Sequence, residues 1–270
     1  MEFADKSVII TGAGSGIGAA LARRAVQMGA RVCVSDLDGD KALAIASEFG
    51  GLAVQCDVRD QNAVQNLVNE AAKANGEVDI FVSNAGLSAG EPDHAASASD
   101  EIWMLNWQVH VMAHVYASRA LLPGMIARGS GYLVNVASAA GLLNQIGDAA
   151  YSATKHAAVS FAESLAISHG ANGIGVSVVC PQYVATPLLG LSDVDALDLD
   201  SLLTADDVAL SIIAGVEAGR FLILPHPAVQ EYALLRTQDH DRWIAGMQAL
   251  RAKALATLGN ASPETLYKLV

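Results

Sequence analysis

A tyrosine and a lysine stand four residues apart in Tyr151-Ser152-Ala153-Thr154-Lys155, a spacing that puts both on one face of a helix. A phenol with a pKa near about 10 is a poor base at neutral pH. An ammonium one turn away favours the phenolate and is expected to lower that pKa, making Tyr151 usable as a general acid/base. Thirteen residues upstream, Ser138 follows an apolar run and can hold a substrate oxygen. A second set lies near the start, in Thr11-Gly12-Ala13-Gly14-Ser15-Gly16-Ile17-Gly18. Glycines there let a backbone approach a pyrophosphate, and Gly18 lets the following helix pack close to the preceding strand.

An acid completes this nucleotide signature. Asp36 ends the apolar run Val32-Cys33-Val34-Ser35, where a carboxylate accepts from both hydroxyls of an adenosine ribose and repels a 2′-phosphate. No Arg or Lys lies in the glycine loop, and Leu37 follows Asp36. NAD is therefore expected over NADP. The competing reading of Asp36 is an N-cap for the next helix.

These groups need a frame to hold them. Short, continuous Val/Ile/Leu runs predict strands at Ser7–Thr11, Arg31–Ser35, Leu52–Cys56, Asp79–Ser83, Gly131–Val136, Gly175–Cys180 and Phe221–Leu224. Continuous runs suit strands covered on both faces. Between them, alanine-rich stretches with helical spacing predict helices at Gly16–Met28, Lys41–Phe49, Asn62–Ala74, Asp100–Arg128, Tyr151–His169 and Ala205–Ala218. Alternating strands and helices imply right-handed crossovers, hence an α/β fold with a doubly wound parallel seven-stranded sheet of Rossmann type. One domain is expected over 1–270, with a core over 6–225 and a helical extension over 226–270. In that extension Val229–Leu258 carries Trp243, Met247 and Leu250 on one face, read as packing against the sheet edge or a neighbouring subunit. The carboxyl ends of parallel strands line one crevice, so Asp57 and Val58 after the third strand should face the same ligand. Asn84, Ala85 and Gly86 after the fourth should do likewise.

Composition narrows the partners. Twenty-eight acids against 16 bases leave a charge of −12, which disfavours nucleic acid and anionic lipid. No apolar run reaches the roughly 18 residues of a membrane span, and the opening Met1-Glu2-Phe3-Ala4-Asp5-Lys6 lacks a signal-peptide pattern. Cys33, Cys56 and Cys180 are an odd, scattered set within apolar runs. Buried free thiols in a reducing, cytoplasmic compartment are expected.

Taken in order and spacing, Thr11-Gly12-x-x-x-Gly16-x-Gly18, Asn84-Ala85-Gly86, Ser138, Tyr151-x-x-x-Lys155, and Pro181 with Thr186 resemble the short-chain dehydrogenase/reductase family. The resemblance covers about residues 6–225. It implies that Ser138 positions the substrate oxygen, Tyr151 exchanges the proton, and Lys155 holds the nicotinamide ribose while tuning Tyr151. It places Val184 and Thr186 at the carboxamide, and Asp57 and Val58 at the adenine. Hydride would pass between the nicotinamide and a carbinol or carbonyl carbon. Proteins of this kind pair their two long helices across a twofold axis, so a homo-oligomer, a tetramer, is expected.

Two positions depart from the family pattern. Where it carries an Asn that fixes a relay water, this chain has His110; Asn106, one turn earlier, is out of register. An imidazole can bond the same water and titrate near neutrality, or it can fill the space with the relay bypassed. Gln182 stands where the family has Gly after Pro181, which changes the nicotinamide loop and adds a polar group to the substrate pocket. No metal site is expected: His110 and His114 lack a third ligand at zinc spacing. The acids Asp193, Asp195, Asp198 and Asp200 lack the Gly and Glu of a calcium loop.

The segment from Pro187 to Leu203 is leucine-rich and contributes no base. With Leu87, Leu142, Leu143 and Tyr183 apolar and Gln145 and Gln182 polar, a neutral, fairly hydrophobic secondary alcohol or ketone is expected as substrate. The alternatives are a non-catalytic dinucleotide-binding regulatory protein on the same fold, and a lyase or epimerase that retains its cofactor.

Overall fold

The computed structural model describes residues 1–91, 93–192 and 201–270. The acid run Asp193, Asp195, Asp198 and Asp200 lies outside them. The strands β1 (Ser7–Thr11), β2 (Arg31–Asp36), β3 (Leu52–Gln55), β4 (Ile80–Ser83), β5 (Gly131–Val136), β6 (Ile174–Val179) and β9 (Leu222–Ile223) form one sheet. Its order is β3-β2-β1-β4-β5-β6-β9, and every pairing is parallel. The expected seven-stranded Rossmann-type sheet is present, with boundaries moved by a residue or two. Two short strands absent from the sequence reading, β7 (Tyr183–Ala185) and β8 (Leu202–Thr204), pair beside it.

Side-chain alternation along β1 splits the core in two. Val8 and Ile10 pack with Leu21 of α1 (Gly16–Gln27) and Ile212 of α7 (Ala205–Glu217) on one face. Ile9 packs on the other with Leu67 of α3 (Gln61–Asn75), Leu121 of α5 (Ala113–Arg128) and Leu165 of α6 (Ala149–His169). Both faces of the sheet are thus dry, which is why its strands read as continuous apolar runs. All three cysteines are free and buried.

Helix starts differ in a way that matters below. The helices α2 (Gly39–Ser47), α3, α4 (Asp100–Trp107), α6 and α7 open on Asp38, Asp60, Ser99, Asp148 and Thr204, each accepting from a backbone N–H of the first turn. The cap of α2 is Asp38, not Asp36. Helix α1 opens on Ser15 with no side-chain cap and no acid in its first turn, leaving its N-terminal donors aimed outward.

Two helix expectations are corrected. The single helix over 100–128 is interrupted by a π-turn at Gln108–Met112. The extra residue in that turn buries Val109, His110 and Val111 consecutively, which an α-helix with one inward stripe does not do. The tail is two helices, α8 (Ala228–Gln238) and α9 (His240–Leu258), broken at Asp239, whose extended backbone caps α9. A short α10 (Pro263–Leu266) closes the chain. Val229 of α8 packs on Ala139 and Leu143, with Leu224, just after the edge strand β9, partly buried against them, so the hairpin covers the loop after β5 beside the sheet edge. No helix among the described residues is long and apolar enough to cross a membrane.

Candidate active site

The winding of the sheet reverses between β1 and β4, and a cleft of about 590 Å³ opens at the carboxyl ends of the strands around that point. Ligands of open α/β sheets bind at such switch points. The glycine loop lines it through Gly12, Ser15, Gly16 and Ile17, and β2 contributes Asp36 with Leu37. Asp57 and Val58 follow from β3, and Asn84, Ala85 and Gly86 from β4. Tyr151, Lys155, Pro181, Val184 and Thr186 line the opposite end. Gly18 alone of the expected nucleotide residues lies behind the wall. A β-carbon there would sit 2.5 Å from the Gly12 carbonyl and 2.6 Å from Asn84 Nδ2, so its absence sets how closely α1 approaches β1.

The cleft fits a dinucleotide. Gly12 has φ +61°, and a β-carbon on it would fall 2.7 Å from Ala85 Cα; backbone alone can form this cradle. The uncapped start of α1 supplies free N–H donors and positive dipole for a pyrophosphate. Asn84 braces the cradle by donating through Nδ2 to the Thr11 and Gly12 carbonyls at 2.9 and 3.1 Å. Asp36 accepts from Gly14 N at 2.9 Å and Asp38 N at 3.0 Å. Each oxygen keeps a lone pair for a ribose hydroxyl. Two bases lie closer to this end than sequence adjacency suggests. The Lys41 β-carbon crowds Gly14, and Arg59 lines the cleft. Both are committed to acids, Lys41 to Asp38 at 3.5 Å and Arg59 to Asp57 at 2.6 Å.

At the other end of the cleft, Asp148 caps α6 by accepting from Tyr151 N at 3.0 Å through Oδ1. Its Oδ2 accepts from Ser88 Oγ and Gly90 N at 3.2 and 2.9 Å. One buried carboxylate thus fixes where the tyrosine helix begins and ties it to the chain after β4. The sequence reading missed it, although an acid three residues before Tyr151 is a cap signal. Lys155 Nζ donates to the Val136 carbonyl at 3.2 Å and lies 5.5 Å from the Tyr151 ring centre. The lowered phenol pKa expected from Lys155 is not found here. Burial pushes Tyr151 up to about 12, with the Ser138 hydroxyl pulling the other way, and burial brings Lys155 down to about 8. Desolvation is the largest cause of both shifts.

His110 is fully buried, its ring edge-on to Tyr151 at 5.3 Å. Its Nδ1 meets Thr154 Oγ1 at 3.0 Å, and Nε2 accepts from Leu87 N at 3.2 Å. Thr154 Oγ1 donates to the Ala150 carbonyl at 2.9 Å, so it receives the Nδ1 proton and one neutral tautomer satisfies every partner. Burial holds His110 well below the usual histidine range. Neither nitrogen has a lone pair or proton left for a relay water. The geometry makes it a clamp between the chain after β4 and α6. Asn106 donates back to Ile102 O within its own helix. With a clamp, His110→Ala should lower kcat about tenfold and reduce Tm without changing the shape of the pH–rate profile. A limb of that profile displaced in the Ala variant but not in His110→Asn would put His110 in the proton path instead.

The four expected substrate residues, Ser138, Leu143, Gln182 and Tyr183, meet in a second cavity of about 440 Å³. Ser138, Gln182 and Tyr183 also line the nucleotide cleft, so the two spaces join at these residues. The path of the Gln182 loop is set by His226, a residue that nothing in its sequence neighbourhood singles out. Its Nδ1 accepts from Gln182 N at 3.1 Å, and its Nε2 donates to the Tyr183 carbonyl at 2.9 Å.

A parallel sheet of this winding with a dinucleotide cleft at its switch point is the build of a nucleotide-dependent oxidoreductase. Residues 6–195 match the family model described as short chain dehydrogenase, and the chain belongs to that family. A 1-deoxy-11-beta-hydroxypentalenate dehydrogenase of Streptomyces exfoliatus is 32% identical over 250 residues, 90% of each chain. A meso-2,3-butanediol dehydrogenase of Serratia marcescens is 36% identical over 193 residues, 69% of this chain and 74% of its own. A solved short chain dehydrogenase/reductase from Burkholderia phymatum in complex with NAD matches with a TM-score of 0.81 at 29% identity, over 89% of this chain and 96% of that one.

Proposed function

We propose that the protein is an NAD-dependent oxidoreductase that interconverts a neutral, largely apolar secondary alcohol and its ketone, with Tyr151 as acid/base. The observation that carries this reading is the meeting of Ser138, Tyr151 and Lys155 where the nucleotide cleft joins the second cavity. The cofactor supplies hydride acceptance and donation. Ser138 holds the substrate oxygen, Tyr151 takes or gives its proton, and Lys155 binds the ribose and biases the phenol. The relatives described above are named for hydroxyl-bearing substrates, which agrees. The test is NADH formation by purified protein across a panel of secondary alcohols. A regulatory nucleotide-binding protein, a lyase or an epimerase would bind NAD and yield no net NADH.

NAD over NADP rests on Asp36, since Lys41 and Arg59 are already paired. NAD should bind at least about 10²-fold more tightly than NADP, because a 2′-phosphate would meet the carboxylate at short range. Asp36→Ala should narrow that gap, chiefly by improving NADP. Equal calorimetric affinities of the wild type for the two nucleotides would refute the assignment.

A homotetramer in the cytoplasm completes the reading. The faces of α4, α5 and α6 away from the site leave Trp107, Ile126 and Ile167 exposed, Ile167 at 84%. Pairing of these helices between subunits would cover them, and light scattering should give a mass about four times that of the chain. A monomer at micromolar concentration contradicts it. Three free, buried thiols suit a reducing compartment.

A further inference from the structure

The cavity beside Ser138 is walled by two parts of the chain. Its inner wall, Ser138 to Ile146 with Gln182 and Tyr183, falls within the segment that matches the family model. Its outer wall comes from beyond it: Tyr232 of α8, Trp243, Met247 and Leu250 of α9, and Leu266 and Leu269 at the C-terminus. We propose that this cavity selects secondary alcohols built on a bulky apolar skeleton, two fused rings or larger, and that the C-terminal hairpin is the selecting element. The inference rests on the oxidoreductase reading above.

Three observations support it. The volume of about 440 Å³ suits a drug-sized ligand, and a four-carbon alcohol would leave most of it to water. The tilted Tyr232 and Trp243 rings, 6.5 Å apart, offer a broad aromatic wall. The only charged side chains among its described lining residues are Arg242 and Asp239, opposite in sign, so the cavity does not call for a charged skeleton. The hairpin also sets the cavity floor, because His226, just before α8, holds the backbone of Gln182 and Tyr183.

Gly246 gives a clean test. It lines the cavity from α9, and a β-carbon on it would meet nothing within 4 Å. A larger residue there improves helix propensity, so Gly246→Phe should fold while filling the space. Wild type should show kcat/KM for decalin-2-ol at least about 10²-fold above that for butan-2-ol. In Gly246→Phe that ratio should fall at least about tenfold, mainly through KM for the decalinol, with NAD affinity unchanged. Equal kcat/KM for the two alcohols in the wild type, or an unchanged ratio in the variant, overturns the proposal. If neither alcohol reduces NAD, the oxidoreductase reading fails separately, and the cavity is decided by binding. Quenching of tryptophan fluorescence by decalin-2-one in wild type, lost in both Gly246→Phe and Trp243→Phe, supports the site; no quenching in wild type, or quenching that survives in both variants, overturns it.

Discussion

Replacing Tyr151 with Phe should cut turnover by about 10²–10⁴-fold, the range typical when a general acid/base is lost. The ring remains, so the edge-on contact with His110 at 5.3 Å persists. Asp148 continues to cap the helix through the backbone N–H of residue 151. Only the hydroxyl goes, the group proposed above as proton acceptor. NAD affinity should change little, because the glycine cradle, Asp36 and Lys155 are untouched. A variant that loses NAD binding along with turnover would show that the phenol serves the cofactor and not the proton. Retained turnover would remove Tyr151 from the chemistry.

Lys155→Met should produce a second large loss, of a different kind. Methionine keeps the aliphatic stem in its buried place but deletes the ammonium that donates to Val136 O. Nucleotide affinity and turnover should both fall, with kcat/KM down by about 10²-fold or more. The pH profile carries the diagnosis. Alcohol oxidation needs the phenolate, so its rate rises with pH towards the Tyr151 pKa; carbonyl reduction needs the phenol and falls in the same region. Burial already pushes that phenol up to about 12. Lys155, brought down to about 8 by its own burial, is cationic only below that region, so a limb near pH 8 in the wild-type profile should be lost from the Met variant. A limb that persists there would mean that Lys155 acts on the nucleotide alone.

Much of this site was legible in the sequence because its parts are local. A glycine turn between a strand and a helix, an acid at the next strand end, and a Tyr-Lys pair at helical spacing each sit within a few residues. The parallel sheet then fixes which strand ends share a crevice, and all the expected nucleotide residues except Gly18 line one cleft. What escaped depends on contacts distant in sequence. His226 grips a loop 44 residues before it, and Asp148 reaches back to Gly90. The second cavity needs the hairpin to fold back over Ser138, which no periodicity announces. The three-residue strands β7 and β8 are too short to read as a pattern. The phenol pKa was misjudged because charge proximity is visible in a spacing, whereas desolvation depends on everything packed around the pair.

The His226 clamp has a consequence for how such a site can change over time. Its imidazole holds backbone groups, among them the N–H of Gln182 and the carbonyl of Tyr183. It is therefore indifferent to which side chains stand at those two positions. Gln182 can occupy a place where the family has glycine because the loop is aligned from outside, by a residue that never enters either cavity. The frame and the lining are thereby uncoupled: substitutions at 182 and 183 can redraw what the cavity accepts while the loop keeps its course, so new specificities are reachable one residue at a time.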